Sequence, residues 1–291
     1  MSKIDLHMHS CFSDDGEYTP EEIVDRAMKN NVEIISISDH NSVKAVERAL
    51  NYSRDKDIKV IPGIEIDCTF NDINLHLLGY NINYKEKDFY NIEEDILNQE
   101  RKASKEKIRL IKEYTGLNIR EEGVLEKSSN GVVTGELIAE ILLKDNENRN
   151  SAILEPYLQG GSRSDMPYVN FYWDYFAQGK PAYVPIKFIS LKEAIKLIHK
   201  HGGQAIIAHP GNNLRNNLDK IDELIKEGID GIEVFSSYHT KEQIDYFYTK
   251  ALKNNMILTC GSDFHGKTKP NIEIGNFKFE PKDISIEKIL K

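Results

Sequence analysis

The chain reads as an α/β protein with parallel strands covered on both faces and one helical insertion. Three observations predict this. Short β-branched runs recur, too brief and too continuously apolar to be amphipathic helices. Helices with recognisable start signals stand between them. From about Phe89 to Phe176 the alternation stops and no convincing strand is found.

In chain order, strands are expected at Ile4 to Leu6 and Ile34 to Ser38. Between them Thr19-Pro20-Glu21-Glu22 offers a hydroxyl N-cap, a proline at the first helical position and a glutamate at the third. Further strands are expected at Lys59 to Ile66 and Asn74 to Gly79. Ile92, Ile96, Ala103, Ile108 and Ile111 are then spaced for one long amphipathic helix with charged remaining faces. After a polar stretch from Asp145 to Pro167, six aromatics crowd between Tyr168 and Phe176. Residues 89–175 are therefore expected to form a helical cap inserted between 1–88 and 176–291. Ser190 with Glu193 and Thr240 with Gln243 repeat the capping box, and strands are expected at Gln204 to Ala208, Gly231 to Val234 and Ile257 to Cys260. Gly202 and Gly228 sit where a left-handed residue would close a helix.

Composition excludes several classes. The 291 residues are 40% hydrophobic and 29% charged, and 38 basic against 47 acidic side chains leave a net charge of -9. That balance argues against gripping extended DNA by broad phosphate neutralisation, so an acidic substrate would need local positive charge such as metal ions. No apolar run reaches a membrane span, and the first residues lack the apolar core of a signal peptide, so a cytoplasmic location is expected. Cys11, Cys68 and Cys260 are odd in number and far apart, which points to neither a disulfide framework nor a thiolate zinc site.

The histidines carry the chemistry. His7 and His9 end the first strand, and their spacing on an extended chain sends both imidazoles to one side. Asp39 and His40 end the second strand, Glu65 falls near the end of the third, and His76 lies in the fourth. His209 follows the fifth, while Asp263 and His265 follow the seventh. Strand ends of a parallel α/β fold meet around one pocket. Six histidines and several carboxylates without cysteine suit Mn²⁺, Fe²⁺ or Zn²⁺, and they exceed what one four-coordinate ion can use, which predicts two or three metals.

These residues stand in recognisable strings: Asp5-Leu6-His7-Met8-His9-Ser10, Ser38-Asp39-His40, Gly63-Ile64-Glu65, His76-Leu77-Leu78-Gly79, Ala208-His209-Pro210, Gly231-Ile232-Glu233-Val234 and Gly261-Ser262-Asp263-Phe264-His265. In that order they resemble the motifs of the PHP (polymerase and histidinol phosphatase) superfamily, and in particular its stand-alone phosphoesterases acting on nucleotide phosphates. The resemblance covers residues 1–88 and 176–291. It implies a distorted (β/α)₇ TIM-like barrel with a trinuclear metal site. His7, His9, Glu65 and Asp263 would hold one metal, Glu65 with His76 and His209 a second, and Asp14, His40 and His265 a third. The family reads Ser-Asp-Gly at that acidic position, whereas this chain reads Ser13-Asp14-Asp15-Gly16. Counting from His9 selects Asp14 and counting back from Gly16 selects Asp15; Asp14 is preferred.

Other residues have competing readings. Asp39 could fix a histidine tautomer or cap the next helix. His239 could touch substrate or shuttle a proton, or be an ordinary residue at a helix start. His199 and His201 are read as structural, at a helix end. Arg163 and Lys180 are candidates for a phosphate not held by metal. The aromatics between Tyr168 and Phe176 could flank a base or pack the insertion. Nucleotide-acting relatives tend to carry an arginine and a histidine where this chain has Thr134-Gly135-Glu136. The resulting expectation is a metal-dependent phosphoesterase for a small phosphorylated substrate, a nucleotide or a short RNA end, working by metal-activated hydroxide. Alternatives are a histidinol-phosphate phosphatase and a degenerate, non-enzymatic metal-binding module.

Overall fold

The structure is a computed structural model, described for residues 2–128, 130–148 and 150–290. Its strands are β1 (Ile4–Met8), β2 (Ile34–Ile37), β3 (Lys59–Val60), β4 (Gly63–Phe70), β5 (Ile73–Tyr80), β6 (Ile189–Ser190), β7 (Gln204–Ile207), β8 (Gly231–Ser236) and β9 (Ile257–Gly261). The first three form one parallel sheet, and the rest form a second sheet in the order β6-β4-β5-β7-β8-β9. Mixed α/β architecture follows; beyond the short edge strand β6, which the sequence reading lacked, two departures bear on the site.

The first departure is at Lys59 to Ile66, expected as one strand. Ile61 gives the last rung to β2, its N–H donating to Ile35 O at 2.8 Å. Pro62 then has no N–H for a ladder, and the chain crosses to the other sheet as β4. The second departure is β5, which runs antiparallel to both β4 and β7. A two-residue turn, Asn71-Asp72, joins it to β4, and both residues have positive φ (47° and 62°), as a tight hairpin turn of that kind requires. His76 therefore sits within a hairpin strand and not at the exit of a parallel one.

The two sheets are stitched together on both sides, close to the acidic and histidine residues. Between β1 and β9, the Asp263 N–H donates to His7 O (2.8 Å) and the His9 N–H to Phe264 O (2.9 Å). Between β2 and β4, the Glu65 N–H donates to Asp39 O (3.1 Å) and the Asn41 N–H to Glu65 O (2.7 Å). These bonds fix the positions from which the histidines project.

Helices behave as their start signals demand. Pro20–Lys29, Leu191–Lys200 and Lys241–Lys253 all begin with complete capping boxes at Thr19, Ser190 and Thr240. The insertion opens with the helix Lys87–Thr115, and Ile108 and Ile111 on its buried face pack with Ile138, Leu142, Phe171 and Phe176 into a cluster separate from that beneath the sheets. No described helix is long and apolar enough to cross a membrane.

Candidate metal centre

Three groups of ligand-type side chains converge: His7, Glu65, His209 and Asp263; His9, Asp15, His40 and His265; and His40, Asp67 and His76, with the ligand atoms of each group within 4.8 Å of one another. Glu65 stands between them. Its Oε2 lies 3.2 Å from each of His7 Nε2, His9 Nε2 and His40 Nδ1, and its Oε1 lies 3.1 Å from His76 Nδ1 and 3.2 Å from His209 Nε2.

Hydrogen bonds behind the rings choose which nitrogen faces inward. His7 Nδ1 donates to Glu233 Oε1 (2.9 Å), whose Oε2 accepts the His209 backbone N–H (2.7 Å). His9 Nδ1 donates to Ser13 Oγ (2.9 Å), and that hydroxyl donates to Asp39 Oδ1 (3.0 Å). Asp39 also accepts from Ser10 N and Ser10 Oγ, so it governs His9 through Ser13, whose hydroxyl oxygen also accepts the His40 backbone N–H (3.0 Å). His265 Nδ1 donates to Asp263 O (2.9 Å). With these protons committed outward, the Nε2 atoms of His7 and His9 approach to 3.1 Å, a contact that two neutral rings do not favour and that cations held by the two rings would relieve.

Electrostatics agrees with a cation site. Burial alone would lower the His7 imidazole, yet Glu65, Glu233 and Asp263 hold it well above its usual range. Burial would raise Glu65, but His7, His76 and His40 keep its carboxyl well below the ordinary carboxylate range. Asp263 is likewise held well down against its burial, by Lys269 first and then by His265 and His7. Buried atoms without hydrogen-bond partners gather here: Asp15 Oδ1, His40 Nδ1, Glu65 Oε2, Asp67 Oδ1, His209 Nδ1 and His265 Nε2. Hard and borderline oxygen and nitrogen donors with uncommitted lone pairs fit divalent Mn, Fe or Zn.

The structure separates the two aspartates, against the preference for Asp14. Asp15 Oδ2 lies 3.2 Å from His265 Nε2, and burial of its carboxyl is outweighed by His265 and His40, which hold it well below the usual range. Asp14 belongs to none of the three groups; burial, with Glu100 and Asp15 nearby, pushes its carboxyl up to about 7. The turn sets this register. A Cβ on Gly16 would stand 1.9 Å from Ser10 O, so the glycine must close against Ser10, and the residue just before it is the one aimed at His265.

Asp67 was missed from sequence. It pairs with His76 across the β4–β5 ladder and lies two residues from Glu65, so both carboxylates project to one face; the same i, i+2 signal that exposed His7 and His9 was there to be used. Tyr238 and Lys269 were also missed. The Tyr238 hydroxyl donates to Asp263 Oδ2 at 2.5 Å and Lys269 Nζ to the same oxygen at 2.6 Å, leaving Oδ1 facing His9 at 3.1 Å. Gly261 makes room for this corner, since a Cβ there would meet His7 Cβ at 2.1 Å and Glu233 Oε1 at 2.2 Å.

A cavity of about 530 Å³ opens over the groups, its walls including Lys107, Glu136, Tyr172, Trp173 and Arg215. Arg163 and Lys180 are not among its lining residues. Arg163 grips Asp174 with a two-pronged contact (3.0 and 2.8 Å), and Lys180 is exposed on the loop after the last insertion helix. A cation does reach the wall near Thr134 to Glu136: Lys107, from the long helix, donates to Glu100 and to Val133 O (3.3 Å). The aromatics divide, with Phe171 and Phe176 buried in the insertion's cluster and Tyr172 and Trp173 half-buried at the cavity.

His239 is also displaced from its expected role. Its Nδ1 donates to Val234 O (2.8 Å), its Nε2 accepts the Gly211 N–H (3.0 Å), and burial lowers it to about 4. Both nitrogens are spent on the turn after His209, which leaves none for a proton shuttle. His239→Ala is expected to cost about 1–3 kcal/mol in urea unfolding through the two lost bonds, with metal content retained. An inactive, metal-loaded and fully stable variant would contradict this.

Comparison with known proteins gives a consistent picture. The PHP domain family model matches residues 5–165. A 5'-3' exoribonuclease of Haemophilus influenzae is 30% identical over 90% of this chain and 90% of its own length. A 3',5'-nucleoside bisphosphate phosphatase of Chromobacterium violaceum is 27% identical over 95% of this chain and 92% of its own. In fold, a solved structure of an amidohydrolase from Chromobacterium violaceum superposes with a TM-score of 0.77 at 24% identity, covering 97% of this chain and 93% of that one.

Proposed function

The chain belongs to the PHP domain family, and from that premise we propose that it is a metal-dependent phosphoesterase whose substrate is a nucleotide or a short RNA end. The convergence of three ligand groups on Glu65 carries this reading. In it, His7, Glu65, His209 and Asp263 hold one divalent ion, His9, Asp15, His40 and His265 a second, and His40, Asp67 and His76 a third. Bound there, Mn²⁺, Fe²⁺ or Zn²⁺ would supply Lewis acidity that neutralises phosphoryl charge and makes water a nucleophile near neutral pH.

The chain's own groups do the rest. Glu233 and the Ser13–Asp39 pair hold His7 and His9 with their inner lone pairs directed at the centre. Tyr238 and Lys269 hold one oxygen of Asp263 so that the other stays turned inward. Lys107 stands at the wall with its ammonium paired to Glu100, so a phosphate oxygen beyond the reach of the centre would bind there in competition with that carboxylate. Residues 89–175 act as the cap that shelters the reacting phosphate from bulk water, over strands that we read as a distorted (β/α)₇ barrel closed at the β1–β9 and β2–β4 seams.

The test is a substrate panel on the purified protein with Mn²⁺, Fe²⁺ or Zn²⁺, comprising adenosine 3′,5′-bisphosphate, mononucleotides, 5′-phosphorylated short RNA, histidinol phosphate and an aryl phosphate. Chelator-sensitive phosphate or nucleotide release, with kcat/KM highest on a nucleotide or RNA, is expected. A preference for histidinol phosphate, or turnover that survives complete chelation, would overturn the reading.

A further inference from the structure

The chain has one tryptophan, Trp173, and it stands in the cavity wall, half-buried, instead of joining its aromatic neighbours in the insertion's core. Arg215 faces it from the other side of the chain. Its guanidinium carbon lies 4.8 Å from the centre of the Trp173 ring. The side chain is exposed, and among the described residues it has no carboxylate partner. Its backbone is held at φ 50°, ψ −111°, a region that non-glycine residues enter at a cost and keep only when the surroundings insist.

The segment that presents Arg215 begins at His209, one of the centre's residues, so it links the centre to the rim. Asn213 lies on it and lines the cavity, and its side-chain Nδ2 is buried without a hydrogen-bond partner. A flat indole face with a planar cation resting on it thus forms part of the cavity wall, and an unsatisfied amide donor two residues before Arg215 lines the same cavity. Each has a counterpart on a nucleobase: a π face for the indole, a second face for the guanidinium, and ring nitrogens or carbonyls for the amide.

We propose that Trp173 and Arg215 form a base-stacking subsite, in which the exposed Arg215 side chain swings off the indole, the base takes its place on that face, the guanidinium closes over the base and Asn213 meets its edge. The inference rests on the nucleotide reading above and assigns these residues to the base, where that reading assigned only the phosphate. Indole and guanidinium stacking is tolerant of base identity, so the subsite selects for the presence of a base more than for its kind.

Because Trp173 is the sole tryptophan, its fluorescence reports this part of the cavity wall alone. In stopped-flow mixing of the purified, metal-loaded protein, read before turnover, adenosine and uridine monophosphates should quench the emission, while ribose 5-phosphate, inorganic phosphate and histidinol phosphate should not. Arg215→Ala should reduce the kcat/KM preference for adenosine monophosphate over ribose 5-phosphate about tenfold or more, the loss typical of a stacking contact. Trp173→Leu should do the same and Trp173→Phe should keep most of the preference, with circular dichroism confirming that each variant is folded. Equal quenching by ribose 5-phosphate, or an unchanged preference in folded Arg215→Ala and Trp173→Leu, would overturn the subsite while leaving the phosphoesterase reading intact. Failure of the wild-type protein to hydrolyse any phosphate ester would instead sink that reading.

Discussion

Asp15→Asn is expected to remove one metal equivalent and most of the activity, whereas Asp14→Asn should keep both. Asp15 reaches His265 Nε2 at 3.2 Å, and its second oxygen is buried without a partner. Replacing that oxygen with an amide nitrogen takes away anionic charge and turns a donor group toward the same imidazoles. Removal of an outer hydrogen-bonding partner of a metal site costs ~10–100-fold, and a direct ligand should cost at least as much. Asp14 stands outside the three groups, where burial, Glu100 and Asp15 push its carboxyl up, so its amide variant removes no oxygen from them. Metal content by mass spectrometry and kcat on the preferred substrate decide the matter. An inactive, metal-poor Asp14→Asn beside a normal Asp15→Asn would show that counting from His9 gives the true register.

That pair of residues shows where the sequence stops being informative. His7, His9, His40, His209 and His265 were legible because residues near the ends of strands meet at one face and β-branched runs marked the strands, whereas His76 reaches the same place from within the hairpin strand β5. Asp14 and Asp15 lie in a turn, where direction depends on which residue can pack against Ser10, and only the missing Cβ of Gly16 settles that. The hairpin direction of β5 was hidden for a related reason: Asn71-Asp72 is a short-range turn signal, yet the apolar runs on either side look the same in parallel and antiparallel sheets. Lys107 lies further from reach, and the sequence leaves open which of the aromatics between Tyr168 and Phe176 faces the cavity. Lys107 and Trp173 both sit in the insertion, and their presence at the cavity depends on how the long helix lies over the strands, which no local pattern records. Arg163 failed by the opposite route, since an arginine suited to phosphate is equally suited to Asp174, and the nearer anion won.

Glu65→Gln should have a larger effect than either aspartate variant. Its two oxygens contact five imidazoles at 3.1 to 3.2 Å, and these imidazoles are drawn from all three groups. Burial would favour a neutral carboxyl, but His7, His76 and His40 hold it ionised well below its usual range. A depressed folded-state value means that this carboxylate stabilises the fold at neutral pH and that the contribution fades as pH falls through the folded value. The metal-free protein should therefore lose some stability on substitution. The diagnostic difference appears when metal is added. A site filled at ~100 times its Kd gains about 2.7 kcal/mol, which for a chain of this size raises Tm by roughly 4 °C. Wild-type protein should show that rise in Mn²⁺, Fe²⁺ or Zn²⁺ and lose it in chelator. Glu65→Gln should melt at the same temperature with and without metal, with kcat reduced on the order of 1,000-fold or below detection, as befits loss of metal-supplied charge. A variant that still gains stability from metal while losing all turnover would show that Glu65 acts on the substrate and not in holding the ions.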